Sequence, residues 1–215
     1  MTGDLWLSRV ELGLRSSDAR AVLGDAYARH RLVLKAFPGL TRQQARVLHH
    51  YTPPWAGRPP RLLVQSMTMP DWSFLRAEDD RSTVQVTNVG HLWDQVAAGA
   101  RYRFRLTASP TRAVRGNRGT RTRGTRTPIT DPTQQINWLA RLLDGAANLT
   151  NVDVTVPATT TGRRGGRIVE HTSVTFTGVL TVTDAGRLRQ QAIAGIGPDK
   201  AYGNGLLAIA NEQHR

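Results

Sequence analysis

A chain of 215 residues with 39% hydrophobic content is long enough for one large packed domain or two small ones, which excludes global disorder. Lys and Arg number 29 against 16 Asp and Glu, a net charge of +13, and a surplus of that size points to a polyanionic partner. Cysteine is absent, so disulfides, zinc–thiolate sites and thiol catalysis are excluded together.

Lys35 and Lys200 are the only lysines, so the positive charge is almost all arginine. A guanidinium forks onto phosphate with two parallel hydrogen bonds and stacks on bases. A GC-rich genome also raises arginine content, but codon bias does not by itself leave a surplus of +13. The first dozen residues carry Asp4, Arg9 and Glu11, which does not read as a signal peptide. No apolar run is long enough to span a bilayer, and the expected location is cytoplasmic.

Leu5 to Leu12 predicts a first strand. Ser16-Ser17-Asp18 predicts a helix N-cap, and one helix to about Ala36 follows, with Ala19, Val22, Leu23, Ala26, Val33, Leu34 and Phe37 at helical spacing. Pro38-Gly39 stops it. Ala45 to Tyr51 is a candidate short strand, Pro53, Pro54, Pro59 and Pro60 mark a loop, and Arg61 to Met67 is a further strand. Pro70 to Leu75 reads as one helical turn. Residues 78 to 100 are ambiguous. In Arg101 to Ala108, Tyr102, Phe104 and Leu106 alternate with Arg101, Arg103 and Arg105, so a strand with one buried face and one arginine face is expected. The first half thus reads β-α-β-β-(α)-β.

Residues 111 to 127 hold Arg112, Arg115, Arg118, Arg121, Arg123 and Arg126 among Gly and Thr, and read as a basic linker or loop that contacts phosphates without reading sequence. Pro132 after Asp131 opens a helix that Gly145 ends. Val152, Val154 and Val156 alternate as a strand. Ile168 to Thr183 is another, broken near Gly178, and the turn Arg163-Arg164-Gly165-Gly166-Arg167 makes 152 to 174 a hairpin with arginines at its tip. Asp184 caps a helix to Ala194. A glycine loop with Gly195, Gly197, Gly203 and Gly205 around Lys200 leads into a last strand, Leu206 to Ala210. It lacks the Gly-Lys-Ser/Thr of a P-loop and precedes a final strand, so neither nucleotide motif fits. The expected fold is α+β with two similar units, residues 1–110 and 128–215, joined by the basic stretch 111–127.

His49 and His50 are adjacent and cannot face one ion from a strand, and no metal-ligand spacing is present, so no metal site is expected. Tyr27 and His30, three residues apart on the first helix, share a face with Ala26, Val33 and Leu34. On periodicity alone that pattern favours two packing residues, and the functional reading beside it is a general acid/base pair. Lys35 lies about 140° round the helix from His30.

The ordered set Leu7-Ser8-Arg9-Val10, Asp25 to Arg31, Leu63-Val64-Gln65-Ser66, Pro70-Asp71-Trp72-Ser73 and Gly195 to Leu207 resembles the CasE family, the CRISPR repeat-processing endoribonucleases of type I-E Cascade. The resemblance implies two tandem ferredoxin-like domains and metal-independent cleavage of CRISPR repeat RNA at the base of its stem-loop. The product would stay bound beside the other Cascade subunits, with no cofactor and no membrane. It puts the catalytic histidine on His30, an assisting tyrosine on Tyr27 and a helix-end lysine on Lys35. It puts RNA contacts on the hairpin arginines Arg163, Arg164 and Arg167, on Lys200, Gly197 and Gly203 of the glycine loop, and on Arg31. It gives no role to 111–127. RNA would supply its own 2′-OH nucleophile and leave a 2′,3′-cyclic phosphate, with His30 as acid or base and Lys35 offsetting transition-state charge. A non-catalytic RNA-binding subunit would carry the same charge and the same arginine loops.

Overall fold

The computed structural model describes residues 3–114, 125–164 and 167–212. The expected basic residues Arg115, Arg118, Arg121 and Arg123 and the hairpin glycines Gly165 and Gly166 lie outside the described residues, and for Arg163, Arg164 and Arg167 the description covers the backbone.

The first sheet is built from β1 (Trp6–Glu11), β2 (Leu48–Thr52), β3 (Arg61–Ser66) and β4 (Thr83–Asn88). Its spatial order is β2-β3-β1-β4, with every neighbouring pair antiparallel. Three helices belong to it, α1 (Ser17–Gly24), α2 (Ala26–Lys35) and α3 (Ser73–Glu78), and α4 (Gly90–Asp94) follows β4. Val10, Leu12, Val22, Leu32, Val33, Phe37, Leu62, Val64 and Trp72 form its core.

The single long helix expected from the apolar spacing is two. Ser16 caps α1, accepting from the Ala19 N–H. Asp25 then takes an extended conformation (φ −127°, ψ 111°), closes α1, and accepts from the N–H groups of Tyr27 and Ala28. Hydrophobic spacing ran through this joint unbroken, because a capping aspartate costs nothing in periodicity. The cap, worth about 1 kcal/mol, restarts the helix one residue before Ala26. Two other boundaries move for local reasons. Arg46 is left-handed (φ 52°), so the strand expected from Ala45 begins at Leu48. Asp71 accepts from the Ser73 N–H and shifts the short helix to Ser73–Glu78.

The second sheet holds β5 (Arg101–Ala108), β8 (Ala147–Val154), β10 (Arg167–Val182) and β11 (Leu207–Asn211), in the order β11-β5-β10-β8, again antiparallel. Helix α5 (Pro132–Leu142), capped by Asp131, and α6 (Ala185–Ala194), capped by Asp184, complete it. Phe104, Leu106, Trp138, Leu139, Phe176, Leu180 and Leu188 fill its core.

Strand β5 has the expected alternation, with Phe104, Leu106 and Ala108 buried and Arg101, Arg103 and Arg105 exposed. It does not close the first unit, however. Its partners are β10 and β11, so it opens the second sheet. The segment 111–127 therefore lies after the first strand of the second sheet and does not join two finished units. Its ends pair with each other as β6 (Thr111–Val114) and β7 (Thr125–Pro128). The arginine hairpin is shorter than expected: its first arm is β9 (Ala158–Arg164) against the first half of β10, with Arg164 opposite Arg167, whereas Val152 and Val154 belong to β8, which pairs with the second half of β10. Near Gly178 the strand does not end; only its register with β8 shifts.

The units are packed on one another. Leu5, Trp93 and Val96, all ahead of β5, insert into the second core. The buried Gln65 side chain donates to the Ala192 carbonyl at the end of α6, at 3.0 Å.

Candidate active site

Where α2 meets β2, the glycine loop and the β9–β10 hairpin, five rings gather. The Asp25 cap sets the start of α2 so that Tyr27 and His30 project together, their ring centroids 6.3 Å apart. On the other side of His30 lies His49 of β2, its ring 6.3 Å away and nearly parallel at 22°. His49 is 1% exposed. His30 is half-buried. Across the unit boundary, Tyr202 stacks on His171 of β10 at 3.6 Å, and His171 Nδ1 lies 3.6 Å from the Asp199 carboxylate. A β-carbon on Gly162 of β9 would come within 3.3 Å of the Tyr27 backbone N and 3.5 Å of the Tyr202 ring, so the hairpin backbone runs directly against the start of α2.

The electrostatics follow from this burial. Desolvation, then the positive charge of Arg42, holds the His30 pKa below its ordinary value, so the imidazole is neutral at neutral pH and able to accept a proton. Burial, then His30 and Arg29, pushes His49 down to about 3. His49 is thus an uncharged aromatic plate under His30 at every physiological pH. Arg29, itself buried, donates to the Val22 carbonyl at 2.9 Å and lies over the Tyr51 ring at 4.4 Å, behind the site.

The other expected residues are placed as follows. Arg31 is exposed, with its guanidinium 5.6 Å from the Tyr27 ring centroid. Lys35 is not gathered with the rings. It pairs with Glu78 of α3 at 3.5 Å and lies 5.6 Å over Phe74, on the side of α2 that its 140° offset from His30 dictates. The Lys200 ammonium folds back onto its own loop and donates to the Gly197 carbonyl at 2.6 Å. Burial, then Arg42 and Arg126, lowers the Lys200 pKa. Gly197 (φ 80°) and Gly203 (φ 92°) are left-handed and closely packed. A β-carbon on Gly197 would strike Trp138 at 2.8 Å, and one on Gly203 would touch the His49 ring at 3.6 Å. The glycine loop is accordingly a packed seam between α5 and β2.

His49, Arg42, His171 and Tyr202 were not singled out from the sequence. The adjacency of His49 and His50 did show that the two face opposite ways, but not which of them faces α2. Among the described residues no group of three or more His, Asp or Glu side chains is placed to hold a metal ion. Among them, too, no helix is long and apolar enough to cross a membrane.

A family model described as CRISPR associated protein matches residues 5–211. The CRISPR-associated endoribonuclease Cse3 of Thermus thermophilus is 31% identical, over 96% of this chain and 100% of its own. The CRISPR system Cascade subunit CasE of Escherichia coli is 28% identical, over 89% of this chain and 95% of its own. Among solved structures, Thermus thermophilus Cse3 bound to an RNA representing a pre-cleavage complex superposes with a TM-score of 0.82 at 30% identity, covering 96% of this chain and 99% of that one. The two antiparallel sheets and their helices are therefore an arrangement this chain has in common with Cse3.

Proposed function

The chain belongs to the Cse3/CasE family of CRISPR-associated endoribonucleases, and from there we propose that it cleaves CRISPR repeat RNA at the base of its stem-loop, without a metal ion, and keeps the product as a Cascade subunit. The observation that carries this reading is the Tyr27–His30–His49 cluster: a neutral, half-buried imidazole flanked by two rings at a unit junction.

In this reading His30 takes the proton of the 2′-OH as that oxygen attacks the adjacent phosphorus. The P–O5′ bond breaks, leaving a 2′,3′-cyclic phosphate and a 5′-hydroxyl after protonation. A neutral imidazole is the form that accepts such a proton. Tyr27, with Gly162 against its backbone, orients the reacting ribose. Lys35 supplies charge to the phosphorane by leaving Glu78, an exposed pair whose opening costs about 1 kcal/mol or less. Arg42 adds to the same positive field. The hairpin arginines Arg163, Arg164 and Arg167, with Arg31, grip the RNA backbone. Lys200, Gly197 and Gly203 act through the seam they build and hold the two halves of the site in register. Each βαββαβ unit with strand order 4-1-3-2 reads as a ferredoxin-like domain, and the division between them falls between α4 and β5.

The test is incubation of the full chain with its cognate repeat transcript in EDTA. A discrete product ending in a 2′,3′-cyclic phosphate is expected. A shifted but intact RNA would instead make the chain a non-catalytic RNA-binding subunit.

A further inference from the structure

Strand β2 has a second face. His50 points away from α2 into a basic groove between the two sheets, a hollow of about 270 Å³ lined also by Arg9, Arg61 and Arg105. Arg9, Thr52 and Arg61 carry the groove on into a second hollow of about 600 Å³ that ends at Arg58 and Trp55. Among the described residues, Glu11 is the one acidic residue that lines either hollow, and it is paired with Arg9 at 2.6 Å. Burial, and after it the positive charges of Arg105 and Arg61, pushes the His50 pKa down to about 4.

Trp55 closes the far end, and it is 79% exposed. The backbone that carries it is tightly turned. Trp55 and Arg58 exchange backbone hydrogen bonds of 3.3 and 2.9 Å across a two-residue turn, with Ala56 (φ 48°) and Gly57 (φ 76°) both left-handed. Pro53, Pro54, Pro59 and Pro60 flank this turn. A large exposed ring at the mouth of an arginine groove is a stacking platform beside an electrostatic track, which is the pairing that single-stranded nucleic acid requires. A folded duplex would find the ring useless, since its bases are already stacked.

We propose that the groove from Arg105 to Trp55 binds a single-stranded stretch of RNA continuous with the stem-loop, the arginines tracking phosphates and Trp55 stacking on a base. The proposal rests on the repeat-RNA reading above. His49 and His50 place this track and the candidate active site on opposite faces of one strand, so the flank engages the groove only when it is long enough to pass round the sheet.

The test compares full-length wild type with Trp55→Ala, Trp55→Phe and Arg58→Ala by fluorescence anisotropy at fixed salt. Three RNAs are used: the bare repeat stem-loop, the stem-loop with single-stranded flanks of about 8 nucleotides, and a free oligouridylate of about 8 nucleotides. Wild type is expected to bind the flanked RNA about tenfold tighter than the bare stem-loop, corresponding to one or two stacked or ion-paired nucleotides. Trp55→Ala and Arg58→Ala erase that increment and the oligouridylate binding, leave the stem-loop affinity unchanged, and Trp55→Phe keeps most of the increment. Flanks that add nothing, or variants that bind all three RNAs like wild type, overturn the proposal and turn the groove over to a protein partner. A chain that ignores the stem-loop yet still binds oligouridylate through Trp55 refutes the repeat-RNA reading and leaves the groove's chemistry standing.

Discussion

His49 and His50 are neighbours in sequence and face different worlds. His49 packs under the His30 ring, sealed from solvent, with its pKa at about 3 through burial and the nearby His30 and Arg29. His50 looks into the arginine groove, and its pKa falls to about 4 through burial together with Arg105 and Arg61. One face of the strand is closed, aromatic and fixed, as proton transfer requires. The other is open, cationic and ends in an exposed tryptophan, as backbone tracking requires. The pleat of a single strand is enough to keep chemistry and grip apart.

The largest effect that would break this comparison is at His30. His30→Ala is expected to lower the single-turnover cleavage rate by at least about 10²–10⁴-fold while leaving repeat-RNA affinity within about threefold. Near-normal cleavage would remove chemistry from that face altogether. Next in size is the hairpin. Replacing Arg163, Arg164 and Arg167 together by Ala should weaken repeat binding by at least about tenfold and reduce the slope of log K against log salt by about 2, measured by salt titration of binding. An unchanged slope would mean that those residues touch no phosphate.

The test that sharpens the comparison, where the first two would break it, lies at His49. If it serves as a neutral plate that holds the His30 ring, a flat apolar ring should serve too. His49→Phe is then expected to cleave within about threefold of wild type, whereas His49→Ala, which frees His30, loses about 10–100-fold in rate at saturating enzyme. The acid limb of the rate against pH should keep its midpoint below 6.5 in His49→Phe, because that limb reports His30. A dead His49→Phe enzyme with a normal melting temperature would make His49 a proton carrier.

Much of this is legible in the chain, and most of what is not has one cause, pairing between distant segments. Strand β5 declared itself through strict alternation of Tyr102, Phe104 and Leu106 with arginines. Its sheet did not, because β10 and β11 lie far along the chain, and pairing over such separations leaves no local mark. Tyr27 and His30 were visible as a pair at helical spacing. Their third ring came from β2, again non-local. The Asp25 break was hidden for the opposite reason: it is wholly local, but a side-chain cap leaves hydrophobic periodicity intact. Lys35 was flagged by its angle before its partner Glu78 could be known. The loop glycines are packed closely against protein, namely Trp138 and His49.

The smallest effect concerns stability, and it separates the two faces by pH. Below about 6.5 the unfolded chain binds a proton at each of His49 and His50 that the folded chain refuses until about pH 3 and about pH 4 respectively. The unfolded state therefore holds more protons through those windows. Stability is full above 6.5 and drains away as pH falls, by up to about 1.4 kcal/mol per pH unit for each histidine. Between pH 6.5 and pH 5 the His49 contribution is about 2 kcal/mol. Urea unfolding of wild type at pH 7.5 and pH 5 should show this loss, and His49→Phe should recover the His49 share of it by removing that protonation. His30 and His50 carry the remainder, and a polyanion bound beside His50 would relieve the part of its share that comes from Arg61 and Arg105. The same unfolding experiment repeated with saturating oligouridylate should then lessen the remaining slope without removing it, since an RNA phosphate offsets Arg105 and Arg61 while the larger cause of the His50 shift, burial, stays in place. A slope indifferent to oligouridylate would leave His50 a buried histidine among arginines that never meets RNA.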